Sequence, residues 1–250
     1  FNTILYTGDD STDNDITGIG FETDFLWIKR RDATAQHYLF DSLRLYDNGH
    51  NKQIFASLPG AEGADDSGSS NSRVRLGVIT DGFNLTNADT DLNASAGSYV
   101  AWNWKAGNAN TAFSESGNNP GGIHRANVAA GFSIVSYTGT GAAGTVAHGL
   151  GAAPELMLIK NRGVADEWFV YYGDNTDYLV LDDSDATADA ATAWNDTSPT
   201  SSVFTVSTDH SVNADGERYI AYCFHSVDGY SSVGSYIGNG NVDGPFIHTG

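Results

Sequence analysis

The sequence predicts an all-β protein made of two tandem, related β-sandwich (jelly-roll-like) units, followed by the first strands of a third. Three observations lead to this fold class. Short runs are rich in β-branched and aromatic residues, glycine is abundant with 29 of 250 residues, and one pattern occurs twice along the chain. Many short strands separated by Gly, Asn, Asp and Ser clusters are typical of sandwiches and jelly rolls.

The repeat is clearest at the start of each unit. Phe1-Asn-Thr-Ile-Leu-Tyr-Thr-Gly8 returns as Phe132-Ser-Ile-Val-Ser-Tyr-Thr-Gly139, at an offset of 131 positions. The same offset joins Ile28 to Ile159 without a gap. Duplicated units of this kind build arrays and elongated assemblies.

The second half of each unit repeats at a different offset. Tyr99 corresponds to Tyr219, 120 positions later, so the second unit is 11 residues shorter in its middle. Val233–Gly240 resembles Ile134–Gly141 and indicates a third start. The predicted boundaries are residues 1–105 for unit one, 106–131 for a linker, 132–228 for unit two, and 229–250 for a partial third unit or pairing segment.

The predicted strands follow from β propensity and from the turn residues that separate them. Helical periodicity is weak, and the best candidate for a short helix is Ala186–Trp194. The predicted strands are Thr3–Thr7, Phe25–Lys29, Tyr38–Phe40, Tyr99–Trp104, Ser133–Thr138, Leu156–Lys160, Trp168–Tyr172, Tyr178–Leu181, Ser202–Val206 and Tyr219–His225.

The formal charge of −19 excludes several classes of partner. Nucleic acid binding requires clustered cations, and this surface would repel phosphate. An anionic membrane is disfavoured for the same reason. The lone cysteine, Cys223, lies in a strand-like run and is expected to be buried and unreactive.

Two acidic clusters are weak candidates for calcium, which prefers several oxygen ligands on a turn. Neither contains the Asp-x-Asp-x-Asp-Gly loop, so solvated turns are the favoured interpretation. The clusters are Asp9, Asp10, Asp13 and Asp15, and Asp182, Asp183 and Asp185.

No catalytic signature is visible in the chain. The seven histidines show no His-x-His or His-x-x-x-His spacing, and there is no nucleophile elbow, phosphate loop or dinucleotide fingerprint. The sequence therefore predicts a protein that binds without catalysis and that needs no cofactor, with calcium as a possible exception.

Aromatic residues suggest where binding would occur. Trp102 and Trp104 recur as Tyr222 and Phe224, so a structural role in the sheets is favoured for them. Trp194 lies outside the repeat, and we expect it to be an exposed contact residue. The predicted ligand-binding residues are Trp194, Asn195, Asp182, Asp183 and Asp185, which would stack on and hydrogen-bond to a host-surface polysaccharide.

The strings Gly131–Gly141, His148–Gly151 and Pro154–Arg162 resemble an uncharacterised repeat domain of tail- or fibre-like structural proteins of marine bacteriophages. Trp194–Phe204 and Tyr219–Phe224 are similar to its later blocks. The resemblance fades between Leu43 and Arg75. It supplies no catalytic residues.

The resemblance implies an extracellular virion component, most simply a tail fibre or surface appendage for host attachment. Its expected partners are other copies of itself or other virion proteins. One alternative is a capsid decoration or filament-forming subunit. Another is a secreted carbohydrate-binding module or adhesin.

Overall fold

A computed structural model describes residues 1–45, 50–63, 74–86 and 90–247 and confirms the all-β class. Unit one contains β1 (Asn2–Thr7), β2 (Asp13–Thr17), β3 (Phe25–Arg30), β4 (His37–Asp41), β5 (Ile54–Phe55), β6 (Val74–Arg75), β7 (Gly82–Thr86), α1 (Thr90–Asn93) and β8 (Ser98–Trp104).

The second half follows the same plan after two additional strands. It contains β9 (Thr111–Phe113), β10 (Gly122–Asn127), the 3₁₀ turn Val128–Ala130, β11 (Phe132–Thr138), β12 (Gly144–Ala147), β13 (Leu156–Asn161), β14 (Trp168–Tyr171), β15 (Asp177–Val180), β16 (Ala188–Asp189), α2 (Ala191–Trp194), β17 (Val203–Val206), α3 (His210–Asn213) and β18 (Arg218–Phe224). Within the described ranges, no helix is long and apolar enough to span a membrane.

Each unit has one large and one small antiparallel sheet, and the strand order repeats. The large sheet of unit one runs β1-β8-β3-β4-β5, and that of unit two runs β11-β18-β13-β14-β15, extended by β16 at one edge and by β10 and β9 at the other. The small sheets are β2-β7-β6 and β12-β17. Tyr6 lies opposite Tyr99, and Tyr137 lies opposite Tyr219, so the residues related by the two offsets occupy equivalent strands.

The repeat extends to individual hydrogen bonds. The buried Tyr99 hydroxyl donates to the Thr90 carbonyl at 2.7 Å and accepts from the Ala94 amide at 2.8 Å. Tyr219 makes the same two bonds at 2.6 and 2.7 Å, with the residues 120 positions further along. The short helix before the last strand is therefore fixed in the same way in both units.

The four sheets stack in layers with an apolar core between each neighbouring pair. In unit one, Ile28 of the large sheet packs with Phe83 of the small sheet. In unit two, Ile159 packs in the same way with Phe204. A third core joins the two large sheets face to face, and its members are Phe25, Leu39, Ile54, Ala56, Ala106, Phe132, Ile134, Leu158, Trp168, Val170, Ile220 and Tyr222.

Charged side chains also cross the junction between the units. Arg44 of unit one is fully buried and pairs with Asp41 at 2.5 Å. The Tyr222 hydroxyl of unit two donates to the same carboxylate at 2.7 Å. Nearby, Arg162 donates twice to Glu62, at 2.7 and 3.0 Å. Polar contacts and apolar packing thus both hold the units together.

Two predicted segments differ from expectation. Residues 106–131 are more than a linker, because β10 pairs along the whole of β11 and β9 pairs with β10. Residues 229–247, expected to contain the first strands of a third unit, form no strand in the described chain, and Ile237 and Phe246 are 91% and 90% exposed. Residues 248–250 of this predicted segment lie outside the described residues.

Candidate functional site: an acidic cleft in unit two

Trp194 is a core residue, so its prediction as an exposed contact is wrong. It is 1% exposed, its ring meets that of Tyr171 edge to face at 5.8 Å, and its indole nitrogen donates to the Asp177 carbonyl at 3.0 Å. The cause is local. The helix α2 has only Ala193 and Trp194 to bury, so the large indole anchors this segment against the sheet.

Asn195 has a backbone role. It ends α2 in the left-handed conformation with φ of 54°, and its amide donates to the Ala191 carbonyl at 2.9 Å. Asn tolerates this conformation better than most residues. Asn195 is exposed and does not line the cleft described next.

Two of the predicted aspartates line a cleft of about 580 Å³ beside the junction of the units. Asp182 and Asp183 follow β15, and Asp182 accepts from the Trp168 amide at 3.0 Å. Asp185 is exposed and close enough to raise the pKa of Glu167. The lining residues are Pro59, Ala165, Asp166, Glu167, Asp182, Asp183 and His210.

Asp166 organises the floor of this cleft. Its amide donates to the Pro59 carbonyl of unit one at 2.7 Å. Its carboxylate accepts from the Ser211 hydroxyl at 2.9 Å and lies 3.0 Å from His210 Nδ1. Because the His210 side chain is 78% exposed, its other ring nitrogen remains open to solvent.

The cleft carries an excess of negative charge. The pKa of Glu167 is raised, first by burial and then by the carboxylates of Asp182, Asp166, Asp183 and Asp185. Beneath them, burial lowers the pKa of Lys160 to about 8, although Asp166 and Asp182 oppose that shift. The arrangement can accept hydrogen bonds from hydroxyl or ammonium groups.

The first acidic cluster gives little support for calcium. The Asn93 side chain donates to Asp9 at 3.0 Å, and the Asn84 side chain donates at 2.7 Å to both Asp13 and Asp15. These carboxylates are therefore already engaged by amide groups. Asp10, the remaining candidate, has a left-handed φ of 56°. Across the described part of the chain, no group of three or more His, Cys, Asp or Glu residues could hold a metal ion.

Sequence reasoning missed Asp166, Glu167 and His210, although a signal existed for the first two. The predicted strands 168–172 and 178–181 are neighbours along the chain, and antiparallel pairing brings the start of one beside the end of the other. Residues 166–167 and 182–183 therefore had to meet. The position of His210 in the cleft could not be predicted, because His210 begins α3, which β16, α2 and β17 separate from these strands along the chain.

A family model described as "Domain of unknown function (DUF7483)" matches residues 1–250, so the chain belongs to that family. No curated protein and no solved structure matches the chain. The family match spans both units and the segment after them. Its description states no activity.

Proposed function

We propose that this member of the DUF7483 family is a structural protein of a bacteriophage virion, serving as a tail fibre or surface appendage in host attachment. The observation that carries the proposal is the duplicated sandwich, whose units share their frame down to single hydrogen bonds and pack through equivalent sheet faces. Repeated units of this kind suit an extended assembly. The resemblance of residues 131–162 to repeat domains of phage tail proteins points the same way.

Binding without catalysis fits the chemistry of the surface. A chain of charge −19 stays soluble through self-repulsion, and four of its 31 carboxylates line a cleft beside two strand ends. Loops on a fixed frame are where binding groups are most easily varied. The proposed partners are other copies of the chain or other virion proteins, with a host polysaccharide as the ligand.

A second function, that of a filament or capsid-decoration subunit, is favoured by one feature. Residues 233–247 expose Tyr236, Ile237, Val242 and Phe246, at 67%, 91%, 103% and 90%. Exposed apolar side chains in succession are typical of contact segments. In this alternative the segment would contact a neighbouring copy in a lattice.

Electron microscopy of intact particles labelled with an antibody to the purified chain tests both functions. Label on tail fibres or other protruding appendages supports the first, and label at regular spacing over the capsid supports the second. Particles that carry no label, while the antibody recognises the purified chain, would refute a virion role. Blocking of adsorption by the same antibody would then separate attachment from a purely structural role.

A further inference from the structure

The two large sheets present equivalent faces to each other but are not covered equally. Trp27 corresponds to Leu158 at the offset of 131, and Trp102 corresponds to Tyr222 at the offset of 120. Leu158 and Tyr222 are 7% and 0% exposed at the junction, whereas Trp27 and Trp102 are partly exposed. Part of this sheet face is therefore open in unit one and closed in unit two.

The cause is the difference in length between the two units. Unit one contacts unit two through an arm that consists of Arg44 and residues 50–62. In this arm Arg44 donates to the Tyr222 hydroxyl at 3.2 Å, and the Phe55 carbonyl accepts from the Trp168 indole at 2.7 Å. The middle of unit two is 11 residues shorter. Leu179 and Leu181 from this shorter middle pack against the junction core, and Trp27 and Trp102 of unit one stay partly exposed.

The open part, here called the tryptophan face, lies across β1, β8, β3 and β4. Trp27 and Trp102 are opposite each other in the sheet, with ring centroids 6.2 Å apart. The Trp27 indole donates to His37 Nδ1 at 2.9 Å, which fixes the orientation of its ring. The tryptophan face consists of Leu5, Trp27, Lys29, His37, Val100 and Trp102.

The charge of this surface differs from that of the whole protein. The chain carries −19, yet no side chain of the tryptophan face is a carboxylate, and Lys29 lies at its end. The Lys29 ammonium donates to the Ala35 carbonyl at 2.6 Å and retains two further protons for hydrogen bonding. The face is thus aromatic and neutral to positive, and its two indole rings meet edge to face at an interplanar angle of 78°.

We propose that the tryptophan face binds a polysaccharide, with sugar rings packed on Trp27 and Trp102 and with Lys29 donating to hydroxyl or carboxylate oxygens. Aromatic rings provide large apolar area at a fixed orientation, which suits the C–H faces of pyranose rings. The inference rests on the proposed attachment function and gives it a site on unit one. It places the ligand away from the acidic cleft, which would repel an acidic polymer.

The arm of a second copy is not available as an alternative occupant. In every copy the arm is held on unit two by the bond from Arg44 to the Tyr222 hydroxyl at 3.2 Å and by the two bonds from Arg162 to Glu62, at 2.7 and 3.0 Å. Moving the arm would expose those buried charges. The tryptophan face also continues directly into the junction core, since Trp27 and Trp104 both pack against that core.

Affinity gel electrophoresis of the purified chain provides the test, with hydroxyethylcellulose, dextran, laminarin and alginate each cast into the gel. We expect retardation by at least one polymer, and a shift in tryptophan fluorescence on its addition. Trp102→Ala should weaken binding about tenfold, the order expected for loss of one aromatic contact. Leu5→Asp should weaken it as well without leaving a cavity, because Leu5 is 60% exposed. Trp194→Phe, a change in the buried core, should bind as the wild type does.

Three results would overturn the inference. They are no retardation by any of the four polymers, retardation unchanged in both folded face variants, or a wild-type dimer by ultracentrifugation that Leu5→Asp converts to a monomer. The last would assign the face to a second copy. Absence of the chain from virions would remove only the proposed function, and absence of polymer binding by a chain found in virions would remove only this inference.

Discussion

Replacing Arg44 by Met should lower the free energy of unfolding, because it disrupts the buried network of charges at the junction of the two units. Arg44 is fully buried and lies 2.5 Å from Asp41, which also accepts from Tyr222 at 2.7 Å. Burial alone would lower the pKa of Arg44, but Asp41, Tyr222 and Glu62 outweigh it and raise that pKa. The guanidinium therefore stays charged at every accessible pH.

The expected loss follows from what the substitution leaves behind. Without Arg44, the Asp41 carboxylate is buried with no cation beside it, and removal of one partner of a buried pair costs about 3–5 kcal/mol. At about 2–4 °C per kcal/mol for a chain of this size, Tm should fall by roughly 6–20 °C. Thermal unfolding followed by circular dichroism measures this directly.

Arg218→Met is the matched control. Arg218 also lies near a junction carboxylate, 3.8 Å from Glu62, but its side chain is 56% exposed. An exposed pair contributes about 0–1 kcal/mol, so Tm should change little. Equal losses in the two variants, or a loss below about 1 kcal/mol for Arg44→Met, would refute the assignment of a buried, stabilising junction network.

Three further outcomes are expected. Burial alone would raise the pKa of Glu62, but Arg162, Arg44 and Lys52 hold that pKa below 4.5. The stability that the ionised Glu62 carboxylate contributes is therefore complete above pH 4.5 and is lost as the pH falls through its lowered pKa. The Tm difference between wild type and Glu62→Gln should narrow in acid. Tyr99→Phe and Tyr219→Phe should each cost about 1–3 kcal/mol in urea titrations, because each orphans a buried amide and a carbonyl; a large loss in one with none in the other would contradict the equivalence of the units. Burial raises the pKa of Cys223 to about 12, so iodoacetamide at pH 8 should label it only after unfolding, and rapid labelling of the native chain would count against its buried position.

The strands that the sequence predicted are those with a buried, β-branched or aromatic face, such as β3 and β13. The strands that it missed are short or contain few large apolar residues. In β2, Asp13-Asn-Asp-Ile-Thr17, only Ile16 is buried, and Asp and Asn are depleted in strands. Pairing with β7, and the bonds from Asn84 to Asp13 and Asp15, hold that strand in place. Stabilisation by residues distant in sequence produces no periodic pattern of apolar residues, so it cannot be read from a single sequence.

The candidate site was predicted only in part, for a similar reason. The sequence indicated that Asp182 and Asp183 follow the end of a strand, but it did not indicate that Trp194 is buried. Its position outside the repeat suggested an exposed residue, whereas burial of that indole depends on the sheet against which it packs, and other parts of the chain supply that sheet. Local composition predicts exposure poorly in a segment with one large apolar residue, because that side chain is the one the segment buries in the core.

The change of offset from 131 to 120 was visible in the sequence, but its consequence lay in the tertiary structure. Two units with the same frame and equal loops would cover each other's sheet faces equally. Here the arm of unit one covers part of its neighbour, and the shorter middle of unit two leaves Trp27 and Trp102 partly exposed. The uncovered face then presents Trp27 and Trp102 where the covered face has Leu158 and Tyr222. Unequal loop length in a duplicated fold is thus sufficient to create a surface available for binding, without any change in the sheets themselves.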